Sequence, residues 1–157
     1  MYKTNVTFEN FEGEKVSKDL YFNLTKAEIM ELQYSYEGGF TAYLDSIIHP
    51  ISGKPDPKKV MDLFKLMIMK SYGVRTEDGG FRKNKDLAEE FLSTDAYSEL
   101  FMKIINDEKA MNDFLFGILP REAQEQAKIE MEKRTKEIEE TAKAVEDNVV
   151  PMPSSTN

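Results

Sequence analysis

The chain has 157 residues, of which 40% are hydrophobic and 32% are charged, and this length and composition predict one domain with at most an appendage. Its net charge of −8 disfavours direct binding to nucleic acid, and no apolar run approaches the roughly 18 to 20 residues that cross a bilayer. Cysteine is absent, which excludes disulfides and thiolate chemistry. We therefore expect neither nucleic acid nor a membrane as a partner.

The N-terminal region alternates apolar and polar residues in two successive runs. The runs cover residues 2–11 and 16–24, and Gly13 lies between them in a short polar turn. This pattern predicts a β-hairpin. Because a lone hairpin is only marginally stable in water, it must pack on helices or pair with another strand.

Two helices are predicted next. Thr25 and Glu28 have the spacing of a capping box, in which each side chain caps the backbone N–H of the other residue. The glycine pair at 38–39 ends this first helix. A short second helix ends at Pro50, and its apolar residues are Phe40, Tyr43, Leu44, Ile47 and Ile48.

The third helix begins at Asp56 and Pro57, which suit the N-cap and the first helical position. We expect Gly73 to be the first residue after its C-terminal end. The helix is apolar nearly all round, so it is either central to the core or has one face against a partner. Its predicted inward residues are Val60, Leu63, Phe64, Met67 and Ile68.

The segment "SYGVRTEDGGFRK" (71–83) is dense in glycine and charge. A phosphate-binding loop would follow a strand and end in Lys-Ser or Lys-Thr, and neither condition holds here. A calcium loop needs a series of oxygen ligands, which this segment lacks. We predict a connector with a tight turn, in which Val74 and Phe81 face each other across a two-stranded element.

Three more helices are predicted at about 85–94, 95–106 and 107–118, with Asp95 and Asp107 as N-caps of the last two. The predicted fold is therefore α+β and mostly α-helical, with the hairpin packed on a bundle of about six helices in a domain of residues 1–119.

The composition changes after this domain, since residues 120–157 contain no aromatic side chain. Residues 120–147 are rich in good helix formers, which predicts a charged helical extension. This helix is either solvated or docked on another chain. Residues 148–157 are predicted to be a disordered tail.

The sequence contains no recognisable catalytic motif. Its single histidine, His49, precedes a proline at a predicted helix end, and we interpret it as a polar residue of that end. A zinc site would have to be built from carboxylates and this one imidazole, which is a poor match to the preferences of zinc. A Ser-His-Asp triad would have to use His49. We expect no enzyme activity, no metal and no cofactor.

Several segments of the sequence resemble the tail assembly chaperones of long-tailed phages of Gram-positive bacteria. The resemblance covers about residues 3–120. The segments are "DLYFNLTKAEIMELQ" (19–33), "EGG" (37–39), "FKLMIMKSYGVRTEDGGFRK" (64–83), "EEFLSTDAYSELFMKI" (89–104) and "FLFGILP" (114–120).

The resemblance implies a holdase that coats the tape-measure protein in the cytoplasm of the infected host and is absent from the mature virion. It implies the tail tube protein and a longer, frameshifted form of the chain as further partners, and homo-oligomers as a possible state. Adaptable methionine surfaces suit such transient binding. We predict that Met61, Leu66, Met69 and Met102 face the client.

Two other classes of protein remain as alternatives. The first is a virion structural protein, such as a head–tail connector or a tail completion factor, whose hairpin would pair with a strand of a neighbouring subunit. The second and weaker alternative is an acidic mimic of DNA. The mixed charges of the chain argue against such a mimic.

Overall fold

A computed structural model describes residues 1–48, 50, 53–125, 128–129, 133 and 136. The chain divides into two units, Met1–Pro120 and Arg121–Asn157. In the second unit, residues 121–125 are helical. Most of the predicted helix 120–147, the predicted tail 148–157 and His49 lie outside the described residues.

The first unit has the predicted α+β fold, with an antiparallel hairpin and six helices among its described residues. The strands are β1 (Tyr2–Glu9), β2 (Lys15–Phe22), β3 (Tyr72–Arg75) and β4 (Phe81–Arg82). The helices are α1 (Lys26–Ser35), α2 (Phe40–Ile48), α3 (Pro57–Ser71), α4 (Lys85–Leu92), α5 (Asp95–Asn106) and α6 (Glu108–Gly117).

The hairpin pairs along its whole length, from Tyr2 opposite Phe22 to Glu9 opposite Lys15. Its turn is built by Asn10, whose side-chain oxygen accepts hydrogen bonds from the backbone N–H groups of Glu12 and Glu14. Gly13 takes a φ of 81°, which a residue without Cβ adopts at little cost. The prediction of a hairpin is confirmed.

The segment that was predicted to be a connector contributes two strands to the same sheet as the hairpin. β3 pairs with β2, and the sheet has the order β1-β2-β3-β4. The predicted two-stranded element is present, but its register differs from the prediction. Arg75, and not Val74, lies opposite Phe81, while Val74 lies opposite Arg82.

Gly73 directly follows Tyr72, the C-cap of α3, as predicted, but it does not take the positive φ of a helix-ending glycine and belongs to β3. The glycine is instead required by a close approach inside the sheet. A Cβ at this position would lie 2.7 Å from both the backbone oxygen of Arg82 and the Cζ atom of Phe81. The predicted position is therefore confirmed, but steric crowding between β3 and β4, and not a left-handed backbone, explains the glycine.

Most predicted helix starts agree with the structure. Thr25 and Glu28 form the full capping box, and Asp56 and Asp107 cap α3 and α6. Asp95 is wrong as an N-cap. The cap of α5 is Thr94, whose hydroxyl accepts a hydrogen bond from the N–H of Tyr97 at 3.2 Å, and Asp95 is already in the helix.

The side chain of Lys83, which lies just after β4, bonds to three other parts of the chain. Its Nζ atom lies 2.5 Å from Oε2 of Glu28 and donates to the backbone oxygens of Asn23 (2.8 Å) and Lys70 (3.1 Å). Partial burial alone would raise the pKa of the Glu28 carboxyl. Hydrogen bonds from Lys83 and Thr25 outweigh that effect and hold this pKa below its ordinary value of 4.5.

The core lies between the helices and one face of the sheet, and Phe22 is at its centre. The Phe22 side chain is fully buried. Its ring centroid lies 5.4 to 6.3 Å from the rings of Tyr2, Tyr72, Phe91 and Phe114. Aromatic pairs in this range stabilise the fold beyond the area they bury.

Candidate functional site

A groove of 370 Å³ opens on the surface between α3 and α5. In the core, α3 buries Leu63, Phe64 and Met67, and α5 buries Leu100 and Ile104, whereas the residues that line the groove are exposed or half-buried. The groove is lined by Met61, Asp62 and Lys65 of α3 and by Tyr97, Ser98, Phe101 and Met102 of α5.

Two methionines form the outer walls of the groove. Met61 is 47% exposed and Met102 is 56% exposed, although both are large apolar side chains. Methionine has three rotatable side-chain bonds and a polarisable sulfur, so it adapts to differently shaped apolar surfaces. The walls can therefore change shape around a ligand while the helices stay in place.

Two aromatic rings form a more rigid part of the lining. Tyr97 and Phe101 are half-buried, and their ring centroids are 5.5 Å apart. Tyr97 also makes an edge-to-face contact, with a centroid distance of 5.9 Å, to Phe91 of the core. Burial raises the pKa of the Tyr97 phenol above its ordinary value of 10.0, so its hydroxyl stays protonated at neutral pH.

The polar lining of the groove comes from Asp62, Lys65 and Ser98. One acidic and one basic side chain thus lie on the α3 side, next to the exposed Met61. An apolar centre with charges of both signs beside it matches a partner that is itself amphipathic. It does not match a small anionic substrate, which would require convergent positive charge.

The structure brings together two of the four residues predicted to face a client, Met61 and Met102. Leu66 and Met69 are half-buried and do not line the groove. Helix geometry explains this, because Leu66 lies about 140° around α3 from Met61, and Met69 lies about 12 Å further along the helix axis. Whether any of the four touches a client stays a prediction.

A model of the family described as phage tail assembly chaperone matches residues 1–156. The chain belongs to this family. No curated protein and no solved structure matches it. The match spans nearly the whole chain, so it includes both helices that line the groove.

Sequence reasoning missed part of the groove of this chaperone. The predictions did not mark Tyr97 and Phe101, which share a helical stripe with the buried Leu100 and Ile104. They are instead half-buried, with one part of each ring against neighbouring aromatic rings and another part in the groove. The available signal was the position of Met102 directly after Phe101, which widens the apolar stripe of α5 beyond one face.

The described part of the chaperone contains no group of three or more acidic or histidine side chains placed to bind a metal ion. Across that same part, every helix is too short or too polar to cross a membrane.

Proposed function

We propose that this chaperone binds apolar helix faces of the tape-measure protein and keeps that protein soluble while the tail tube polymerises around it. Membership of the tail assembly chaperone family supports the assembly role. The observation that carries the proposal is the exposure of Met61 and Met102 on the two helices that flank one groove.

An amphipathic helix is the ligand whose geometry fits this groove. Such a helix inserts apolar side chains spaced three or four residues apart and leaves its polar side in water. Methionine walls accept apolar side chains of different shapes, as a long client without one repeated binding motif requires. Asp62 and Lys65 would contact polar residues at the edge of the bound stripe.

The size of the groove supports a transient complex. At 370 Å³ it is near the lower limit of the volumes that enclose a drug-sized ligand, so it accommodates only a few client side chains. Small interfaces are characteristic of weak and short-lived complexes. A weak contact at each site allows the client to be released when the tail tube replaces the chaperone.

The biological setting is part of the same proposal. The chaperone acts in the cytoplasm of a Gram-positive host infected by a long-tailed phage and is not retained in the mature virion. The tail tube protein and a longer, frameshifted form of the chain are further partners. Detection of the chain in purified virions would contradict this setting and favour a head–tail connector or a tail completion factor.

The test is co-expression with the candidate tape-measure protein, the long helical reading frame encoded just downstream. We expect more soluble tape-measure protein when the chaperone is present, and co-elution of the two proteins. The proposal would be contradicted if the tape-measure protein aggregates equally with and without the chaperone. It would also be contradicted if solubility rises but the two proteins form no complex.

Matched variants then test the groove itself. Met61→Ser and Met102→Ser each replace an exposed methionine of the groove by a small polar residue, and together they should abolish most of the gain in solubility. Met30→Ser is the control, because Met30 is 52% exposed on α1 and does not line the groove. Equal effects of the control and the double variant would exclude the groove as the client site.

A further inference from the structure

The turn of the hairpin presents one apolar side chain almost entirely to solvent. Phe11 is 97% exposed, and the next most exposed large apolar side chain of the described residues is Tyr34, at 80%. A ring with so little contact to the rest of the chain contributes almost nothing to the stability of the fold. Single exposed apolar residues are common on protein surfaces, so the surroundings of Phe11 decide whether it is a binding site.

The backbone on both sides of Phe11 is held in one conformation. The side-chain oxygen of Asn10 accepts hydrogen bonds from the N–H groups of Glu12 at 3.0 Å and Glu14 at 2.9 Å. Backbone hydrogen bonds of 2.9 Å also join Asn10 to Gly13 and to Glu14 across the turn. Only the two side-chain torsions of the ring are free, so a partner would lose little free energy in ordering it.

Acidic side chains flank this ring. Glu9, Glu12 and Glu14 are exposed and lie within three positions of Phe11, while Lys15 is the one basic residue at this end of the hairpin. Electrostatic complementarity then requires basic residues on the partner. The surface that fits the turn is an apolar pocket with lysine or arginine at its rim.

A second apolar pair lies just behind the turn. Phe8 and Val16 are opposite each other in the hairpin, and both are half-buried. Part of their surface is available to a partner that encloses the turn. The contact can therefore extend beyond a single ring.

The same charges argue against two other partners. The cytoplasmic surface of a membrane is negative and would repel this turn. A second copy of the chain is also disfavoured, because the whole chain has a net charge of −8. The partner that fits is a different protein with a basic surface.

We propose that Phe11 inserts into an apolar pocket of a second protein, with Glu9, Glu12 and Glu14 next to lysine or arginine residues at the rim of that pocket. Buried aromatic anchors surrounded by a polar rim carry much of the binding energy of protein interfaces. None of these residues lines the groove between α3 and α5. The contact therefore stands whether or not the groove binds the tape-measure protein.

Photo-crosslinking identifies the protein that covers the turn. p-Benzoylphenylalanine replaces Phe11 in the full chain, which is produced in bacteria together with the tail proteins encoded beside it, and the cells are irradiated. We expect a crosslink to one of these proteins, mapped by mass spectrometry to apolar residues with lysine or arginine beside them. The control carries the same group in place of Tyr34, which is also exposed but lies on α1, and should not give this product.

The same product from both positions would mean that any exposed aromatic group is crosslinked, and it would overturn the proposal. The absence of a product at position 11 would also overturn it. So would a product with lipid, with a second copy of the chain, or with a site that has no basic residue.

Two substitutions then separate the ring from the charges, by titration against the purified crosslinking partner. Phe11→Ala should raise the Kd by roughly thirtyfold, the loss typical of an interface hot spot. Glu12→Lys should raise it by roughly fivefold and weaken its dependence on salt, because it opposes like charges. Glu31→Lys makes the same change in charge at an exposed position of α1 and should leave the Kd unchanged.

Denaturation in urea shows that these variants remain folded, since both substituted side chains of the turn are exposed. A natural Kd in the folded Phe11→Ala variant would overturn the role of the ring. Equal effects of Glu12→Lys and Glu31→Lys would overturn the role of the acidic rim.

Discussion

Helices α3 and α5 contribute to two apolar regions with different properties. Towards the core, Phe64 and Met67 of α3 and Leu100 of α5 are buried with almost no exposed surface. Towards solvent, Met61 and Met102 of the same helices are about half exposed beside the groove. Two residues of one type on one helix, Met61 and Met67, thus have opposite environments six positions apart.

The difference lies in how each region constrains its side chains. In the core, the rings around Phe22 contact one another from several directions, which fixes both the fold and their rotamers. In the groove, the methionines contact protein on one side and solvent on the other. The core therefore specifies one structure, whereas the groove can accept ligands of different shapes.

Removing the centre of the core should have the largest effect on stability. Phe22→Ala deletes a fully buried ring and should lower the free energy of unfolding by about 3 to 5 kcal/mol, because the aromatic neighbours cannot close the cavity. Denaturation in urea measures this. Phe11→Ala is the control in the same hairpin, since Phe11 is 97% exposed, and it should change the value by less than about 0.5 kcal/mol.

A loss of less than 1 kcal/mol in Phe22→Ala would contradict the assigned core. It would mean that the cluster rearranges around the missing ring, as a loosely packed region does. The distinction drawn between a fixed core and an adaptable groove would then not hold.

Much of the fold followed from local signals in the sequence. The capping box at Thr25 and Glu28 and the Asp56-Pro57 start depend on neighbouring residues alone, so spacing was enough to identify them. The pairing of β3 with β2 depends on contacts across more than forty positions of sequence, and no local pattern encodes it. The role of Gly73 depends on how closely β3 approaches β4, which the sequence does not show either.

Only part of the groove was predicted, because the groove also depends on contacts between elements that are distant in the sequence. The sequence showed that α3 is apolar nearly all round, and it marked Met61, Leu66, Met69 and Met102 as candidates. It did not show which side of α3 meets α5, because that depends on how the helices pack. Of the four residues, the structure places Met61 and Met102 together.

Removing the ion pair and hydrogen bonds of Lys83 should cause the next largest loss of stability. Lys83→Met keeps most of the length of the side chain but removes the donor to Glu28 and to two backbone oxygens. The free energy of unfolding should fall by about 1.5 to 3 kcal/mol, the range for hydrogen bonds to charged groups. Lys85→Met is the control, because its ion pair with Glu89 is largely exposed and should contribute less than about 0.5 kcal/mol.

The dependence of this loss on pH identifies its cause. The pKa of Glu28 is lower in the folded chain than its ordinary value of 4.5, so the folded state binds its proton less tightly than the unfolded state. The stabilisation is therefore complete above about pH 4.5 and is lost as pH falls through the folded-state pKa. The difference between the natural chain and Lys83→Met should shrink in the same window, and a difference that persists there would rule out this ion pair as its source.

The smallest effect on stability is expected for a substitution in the groove. Met61→Ala removes a side chain that is half exposed and should change the free energy of unfolding by less than about 0.5 kcal/mol. Met67→Ala, on the same helix but buried, should cost about 2 to 5 kcal/mol when both are measured in urea. Similar losses for the two variants would mean that Met61 is packed in the free protein. An unperturbed stability for Met61→Ala, combined with lost client solubility, would instead assign this side chain to binding rather than to folding.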